Sequence, residues 1–458
     1  MPLRSAASAA RAWARALPGR HGGAAVLVAL LVIVLLGLVL RLGAATDPNH
    51  EQRGDWLAYE RIAQALHEEG QYGDDAMSNP SEWSPGAPFL FAAVYAVTGA
   101  PYVERGLILV AFLGAAMVLG VYLLGRRLGG PGRAGTAAGL IAATVAAIYP
   151  TYIEYGDRLV TEPIAAFILV WAVLAFLWAA DRGRGWAWLL PGLLLGALAM
   201  TRPEYQVFGF AFGLVALAVV RRRDGWRAGL AAGALLVAAF CALLAPWTVR
   251  NFIVHDRFVP ISTGGGRALF VGTYLPGDGE NVATRKELNG RYGLHEKRTD
   301  PLLDVVARKY PALDRDEALG RIGGENLRKY ASEQPGAYAE MLVTKAATIW
   351  HRGLGTTMAA PGWRAFHLSL LALGLVGFGL LAYRRRIEAL VLALPIAGIT
   401  LLGALLLAPP RRNVPLMPLV IALGAAGAVW LAQLARGRLA ERRRARAGEP
   451  SASLRPGL

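Results

Sequence analysis

Long apolar runs alternate along the chain with short arginine-bearing interruptions. Ten runs, at residues 24–44, 106–124, 134–149, 164–180, 186–200, 207–220, 228–247, 365–381, 389–407 and 414–434, approach the roughly 20 apolar residues that a helix needs to cross a bilayer. The pattern predicts an all-α polytopic membrane protein with about ten transmembrane helices. The apolar stretch 86–99 is too short to span and reads as an interfacial or re-entrant helix. From Asp55 to Leu66 apolar residues recur near helical spacing, and Gly70 ends the run. That predicts an amphipathic helix lying on the membrane surface. Segment 250–364 carries mixed charge and all five lysines, and is long enough for a small external subdomain. Within it 304–310 and 315–330 have helix-like composition, with Pro311 between them. The expected organisation is an N-terminal transmembrane module over 1–249 with an external loop at 46–105, an external subdomain over 250–364, C-terminal transmembrane helices over 365–435 and a basic tail over 436–458. Gly43-Ala44-Ala45 resembles a signal-peptide cleavage site. However, the apolar stretch before it is longer than a usual signal core and more spans follow, so the first run reads as a retained span.

Composition supports the membrane reading. Of 458 residues 55% are hydrophobic and only 17% charged, against about 25% charged in an ordinary soluble domain; mean hydropathy is +0.39. Disorder, collagen and disulfide-scaffold classes are excluded by the same figures. The net charge of +16 invites a nucleic-acid reading, but the placement of the arginines opposes it. They cluster between apolar runs at Arg126–Arg127, Arg182 and Arg184, Arg221–Arg223, Arg384–Arg386 and Arg442–Arg444, as cytoplasmic loops do. With Arg4, Arg11, Arg15 and Arg20 also inside, both termini are cytoplasmic and 46–105, 150–163 and 250–364 lie outside. The arginine-rich, lysine-poor composition suggests a high-GC bacterium, and the expected location is the bacterial inner membrane. Cys241 is the single cysteine, so no intrachain disulfide and no cysteine-based metal cluster can form.

Several charged residues stand at the outer ends of apolar runs. Asp55 opens the amphipathic segment, either as a helix N-cap or as a catalytic acid–base group. Glu82 lies in Ser81-Glu82-Trp83-Ser84-Pro85-Gly86, as a solvated loop acid or a site residue. Asp157 and Glu162 flank the point where a helix enters the bilayer; Glu162, before Pro163, suits the positive end of that helix. Arg202, Arg250, Arg411 and Arg412 follow apolar runs on the outer side, against the positive-inside trend. They either snorkel to lipid headgroups or form guanidinium donors for a phosphate. The glycine-rich stretch Ser262–Gly272 is neither a Walker loop nor a dinucleotide fingerprint. The seven histidines show no ligand spacing, and a serine nucleophile elbow is missing.

Four features together resemble a known family. Asp55 is followed by Tyr59 four residues on; Glu82-Trp83-Ser84-Pro85-Gly86 precedes a short helix; Pro246-Trp247-Thr248-Val249-Arg250-Asn251 lies at the end of an apolar run; and Arg257-Phe258-Val259-Pro260-Ile261-Ser262-Thr263-Gly264-Gly265-Gly266 follows it. The chain resembles the polytopic lipid-dependent glycosyltransferases of the GT-C fold, in the group of bacterial protein-mannosyltransferase and aminoarabinose-transferase relatives. It departs from them at Trp56, where many relatives have an acid, at Gly264, where many have Asn, and at Arg412-Asn413, where Arg-Tyr is common. The resemblance implies a GT-C-like bundle with interfacial helices. It also implies inverting transfer of a sugar from a polyprenyl-phosphate donor to a hydroxyl of a lipid, glycan or protein acceptor, on the outer face and with no nucleic-acid partner. On it, Asp55 is the catalytic base and Asp157 positions the acceptor or a metal. Tyr59, Glu82 and Glu162 bind substrate, and Arg202, Arg250 and Arg412 hold the donor phosphate. A divalent metal ion is a candidate cofactor with no assigned ligands. The competing readings are a transporter or lipid flippase, to which intramembrane charges are also suited, and a non-catalytic envelope scaffold.

Overall fold

A computed structural model describes residues 20–46, 54–73, 77, 79–183, 185–407 and 409–446. Arg4, Arg11, Arg15, Arg184 and residues 447–458 of the basic tail lie outside the described residues. Those described form helices, with no strand among them.

The described chain opens with α1 (Arg20–Ala45), followed by two helices of the first long loop, α2 (Asp55–Glu68) and α3 (Gly86–Thr98). Next come α4 (Tyr102–Leu128), α5 (Gly132–Ile148), the short α6 (Pro150–Glu154), α7 (Thr161–Arg182), α8 (Leu189–Thr201), α9 (Phe208–Asp224) and α10 (Trp226–His255). Among the described residues eight helices are long and apolar enough to cross a membrane. Seven are α1, α4, α7, α10 and the C-terminal α16 (Pro361–Tyr383), α17 (Ile387–Leu405) and α18 (Met417–Arg446); the eighth is α9 together with the turn before it. The remaining two predicted spans are modified. Gly132–Ile148 and Pro150–Asp157 form a pair bent by 48°, and Gly185–Thr201 is apolar but shorter than a full span.

The bend has a local cause. Pro150 cannot donate the backbone hydrogen bond that would continue α5, so the last carbonyls of α5 need other donors. Arg41, buried in α1, supplies them: Nη1 donates to Ala147 O at 3.1 Å and Nη2 to Ala146 O at 2.9 Å. Elsewhere small residues allow close crossing, as is common between membrane helices. Gly377 of α16 meets Gly427 and the Leu423 carbonyl of α18, and Gly213 of α9 meets Gly233 of α10. Leu27, Val28, Leu31, Val32 and Val39 of α1 remain exposed, as residues facing lipid do.

One end of the bundle gathers the arginine clusters. Arg127 of α4 pairs with Asp181 of α7 and with Glu388 of α17, the latter at 2.9 Å; Arg386 reaches Glu388 at 2.7 Å, and Arg223 of α9 donates to Ala180 O at 2.7 Å. Arg127, Arg223 and Arg386, one from each of three of those clusters, therefore lie at one end of the bundle.

At the other end lies a group of five shorter helices. Its helices are α11 (Gly265–Thr273), α12 (Asn281–Tyr292), α13 (Asp300–Ala307), α14 (Arg315–Glu333) and α15 (Pro335–Trp350). It has its own core of Phe270, Val271, Tyr274, Leu288, Leu302, Leu303 and Leu319. The group follows α10, which continues through Pro246 to His255. Arg315 ties it to the first loop, pairing with Asp300, Asp304 and, at 3.4 Å, Glu82.

Candidate active site

The starts of α2 and α7 and the end of α8, with the turn Pro410–Asn413, enclose a cavity of about 190 Å³. Asp55, Tyr59, Glu82, Glu162, Arg202, Glu204 and Arg411 line it, with Ser84, Thr161 and Thr201. Each reaches the cavity because a helix begins or ends nearby. Asp55 is the first residue of α2, Glu162 the second of α7, and Arg202 follows the last residue of α8.

The capping alternative for Asp55 does not hold. The cap position is Gly54, at φ 56°, and no side chain caps α2. The Asp55 carboxylate instead makes an ion pair with Arg411. Arg411 Nε also lies 3.6 Å from Glu162 Oε1. Burial lowers the Arg411 guanidinium pKa, but Glu162 and Asp55 outweigh this and hold it above its ordinary value.

Arg202 is more tightly held. Its Nη1 lies 2.9 Å from Glu162 Oε1, its Nη2 2.8 Å from Glu204 Oε1, and Nη1 donates to Thr161 Oγ1 at 3.1 Å. Arg202, Glu162 and Glu204 are nearly excluded from solvent, with side chains 9%, 2% and 14% exposed. Two carboxylates on one guanidinium leave it little capacity for another anion. Tyr59 is buried, and burial pushes its phenol up to about 12, partly offset by the hydrogen bond with Ser84. Ser84 Oγ donates to Thr201 O at 2.6 Å, fixing the first loop to the end of α8. Glu82 stands at the rim, where burial raises its pKa against the opposing pull of Arg315.

Of the expected site residues, Asp55, Tyr59, Glu82, Glu162 and Arg202 converge. Three others lie outside the lining. Arg250 donates to Ser81 Oγ at 2.8 Å and stacks over Trp247 and Tyr72, 4.8 Å and 5.5 Å from the ring centroids. It braces the first loop against α10, a cation–π role. Arg412 is buried beside Glu204, and its Nη1 has no hydrogen-bond partner. Burial lowers its pKa. Asp157 pairs with the neighbouring Arg158, whose guanidinium covers Trp56 at 4.4 Å. Arg411, rather than its neighbour Arg412, is the second arginine of the lining, and Glu204, two residues after Arg202, is the addition that no sequence feature singled out.

No group of three or more His, Cys, Asp or Glu side chains placed to hold a metal ion occurs among the described residues. Each of the three inner carboxylates is paired with a guanidinium, so the donor set does not suit a divalent ion.

Residues 80–248 match the family model for dolichyl-phosphate-mannose-protein mannosyltransferase; this covers Glu82, Glu162 and Arg202 but neither Asp55 nor Arg411. No curated protein matches the chain. The archaeal oligosaccharyltransferase AglB from Archaeoglobus fulgidus, solved with an inhibitory peptide and a dolichol-phosphate, shares 17% identity at a TM-score of 0.54, over 91% of this chain and 52% of its own. The same enzyme tethered to an acceptor peptide superposes at 0.54 with 17% identity, over 93% of this chain and 52% of its own. ArnT from Cupriavidus metallidurans, bound to undecaprenyl phosphate, has 17% identity at a TM-score of 0.39, over 89% of this chain and 78% of its own. The chain spans about half the length of the AglB structures. It shares the GT-C fold of the AglB structures, and its residues 80–248 match the family model for dolichyl-phosphate-mannose-protein mannosyltransferase.

Proposed function

We propose that the chain is an inverting glycosyltransferase acting on the outer face of the membrane. It transfers a sugar from a polyprenyl-phosphate donor to a hydroxyl of a lipid, glycan or protein acceptor. The observation that carries this reading is a carboxylate, Asp55, and a guanidinium, Arg411, facing each other in one small polar cavity at the ends of the helices. Such transfer needs both groups. As the acceptor oxygen attacks the anomeric carbon, its proton passes to a base. The bond from that carbon to the phosphate oxygen breaks, and the leaving polyprenyl phosphate gains negative charge that a cation must stabilise. Asp55 takes the proton and Arg411 receives the charge. Arg202, saturated by Glu162 and Glu204, holds the wall of the site. The external subdomain stands over the rim at Glu82, where an acceptor approaches. An outward site suits a lipid-linked donor, since nucleotide sugars are cytoplasmic.

Membranes carrying the protein, incubated with a panel of polyprenyl-phosphate sugars, should transfer one of them. Asp55→Asn should lower that rate by roughly 10²–10⁴-fold, the worth of a positioned acid–base group, with unchanged thermal stability. Full turnover in a well-folded Asn variant would remove Asp55 from the mechanism. Lipid translocation without transfer would favour a flippase.

A further inference from the structure

The two guanidinium groups of the cavity are held very differently. Arg202 is buried and engaged by Glu162, Glu204 and Thr161. Arg411 has a side chain 41% exposed, one close partner in Asp55, itself 33% exposed, and a looser contact of 3.6 Å to Glu162. Both members of the Asp55–Arg411 pair are reached by water, where an ion pair is weak and exchangeable. An anion entering the cavity therefore meets one cation that can change partner.

We propose that Arg411 is an exchangeable counterion: in the empty site it holds Asp55, and the phosphate of the donor displaces Asp55 from it. This rests on the glycosyltransferase reading above. Arg suits the exchange because its planar fork binds phosphate in bidentate fashion. The donor is a phosphodiester with one negative charge; the polyprenyl phosphate that leaves can carry a second. Arg411 thus interacts more strongly as the bond to the sugar breaks than it did at the start, which is where stabilisation accelerates a reaction. Released from Arg411, Asp55 is free to take the acceptor proton only once donor is in place. The order of events, donor before base, follows from one ion pair changing hands.

The pair also lowers apparent donor affinity, since donor must compete with Asp55 for the guanidinium. That makes the proposal measurable without turnover. Undecaprenyl phosphate binding to the purified full chain in detergent is measured, with undecaprenol as the uncharged control. Asp55→Asn should bind undecaprenyl phosphate about 3–10-fold more tightly than wild type. Arg411→Gln should bind it at least about tenfold more weakly. In the Arg411→Gln background, Asp55→Asn should change affinity by less than about twofold, because the competition no longer exists. Arg411→Lys, which keeps the charge, serves for the same cycle if the Gln variant does not fold, and should retain a reduced gain. An equal gain in both backgrounds would overturn the proposal, since it would reflect only the negative charge of Asp55 repelling phosphate. No gain from Asp55→Asn would overturn it too. Wild type binding undecaprenyl phosphate no better than undecaprenol would instead remove the donor class itself.

Discussion

Asp55 stands one position inside α2 rather than before it, and this offset decides its chemistry. At the cap its oxygens would be spent on backbone N–H groups; one residue on, they face Arg411. The residues alone leave Asp55, Glu82, Glu162 and Arg202 open between structural and functional roles, since charge beside a span is costly; the family resemblance is what implies a site role for them and for Tyr59. The sequence does not separate Arg411 from Arg412. Both lie in the turn Pro410–Asn413, where three residues complete a turn and neighbours point about 120° apart. Only packing decides which one meets water and which is buried. At this scale Arg202 gives a clear prediction. Arg202→Leu strips the buried Glu162 and Glu204 of their closest counterion, leaving only Arg411 at 3.6 Å and the neighbouring Arg412, a defect worth up to about 3–5 kcal/mol in comparable pairs. Thermal unfolding in detergent should show a large loss of stability and membranes should hold little protein, while Arg202→Lys should fall between. A Leu variant as stable as wild type would mean that the pair carries no structural weight.

Helices are the units that the apolar pattern resolves well. The surface helix expected from Asp55 to Leu66 is observed as Asp55–Glu68, and the short apolar stretch as Gly86–Thr98. Prolines caused the differences. Pro150 ends a span early, where Arg41 donates to the freed carbonyls, whereas α10 runs through Pro246 unbroken. A proline reads alike in both places, and nothing local to the sequence shows that Arg41, more than 100 residues away, waits beside the first. Crossing points are equally hidden, since a glycine facing lipid and a glycine facing a helix look the same in sequence. In α16, a Cβ on Gly377 would sit 2.1 Å from the Leu423 carbonyl oxygen, while one on Gly379 would meet nothing within 4 Å. Gly377→Ala should therefore cost about 1–3 kcal/mol through forced separation of α16 and α18, and Gly379→Ala should be neutral or slightly stabilising. Paired melting curves check this; equal effects would mean that the crossing is not tight.

Across the whole molecule the charges have two separate destinations. Arg127, Arg223 and Arg386 share one end of the bundle, and Asp55, Glu162, Arg202 and Arg411 share a cavity at helix ends of the opposite kind. With Cys241 replaced by Ser, a cysteine at Lys297 should react with an impermeant thiol reagent on intact cells, and one at Arg222 only after permeabilisation. The reverse pattern would invert the topology. Length, apolar periodicity and arginine placement determined by themselves that the chain is a helical membrane protein with a polar subdomain between its spans, because bilayer thickness and the cost of burying charge act on each segment locally. Which charges pair depends on the folded chain. Asp55 and Arg411 are 356 residues apart in the chain, and no local rule reaches that far. Their meeting depends on α2 and the turn before α18 coming together beside the start of α7, and so do the shape of the cavity and the choice of one arginine over its neighbour.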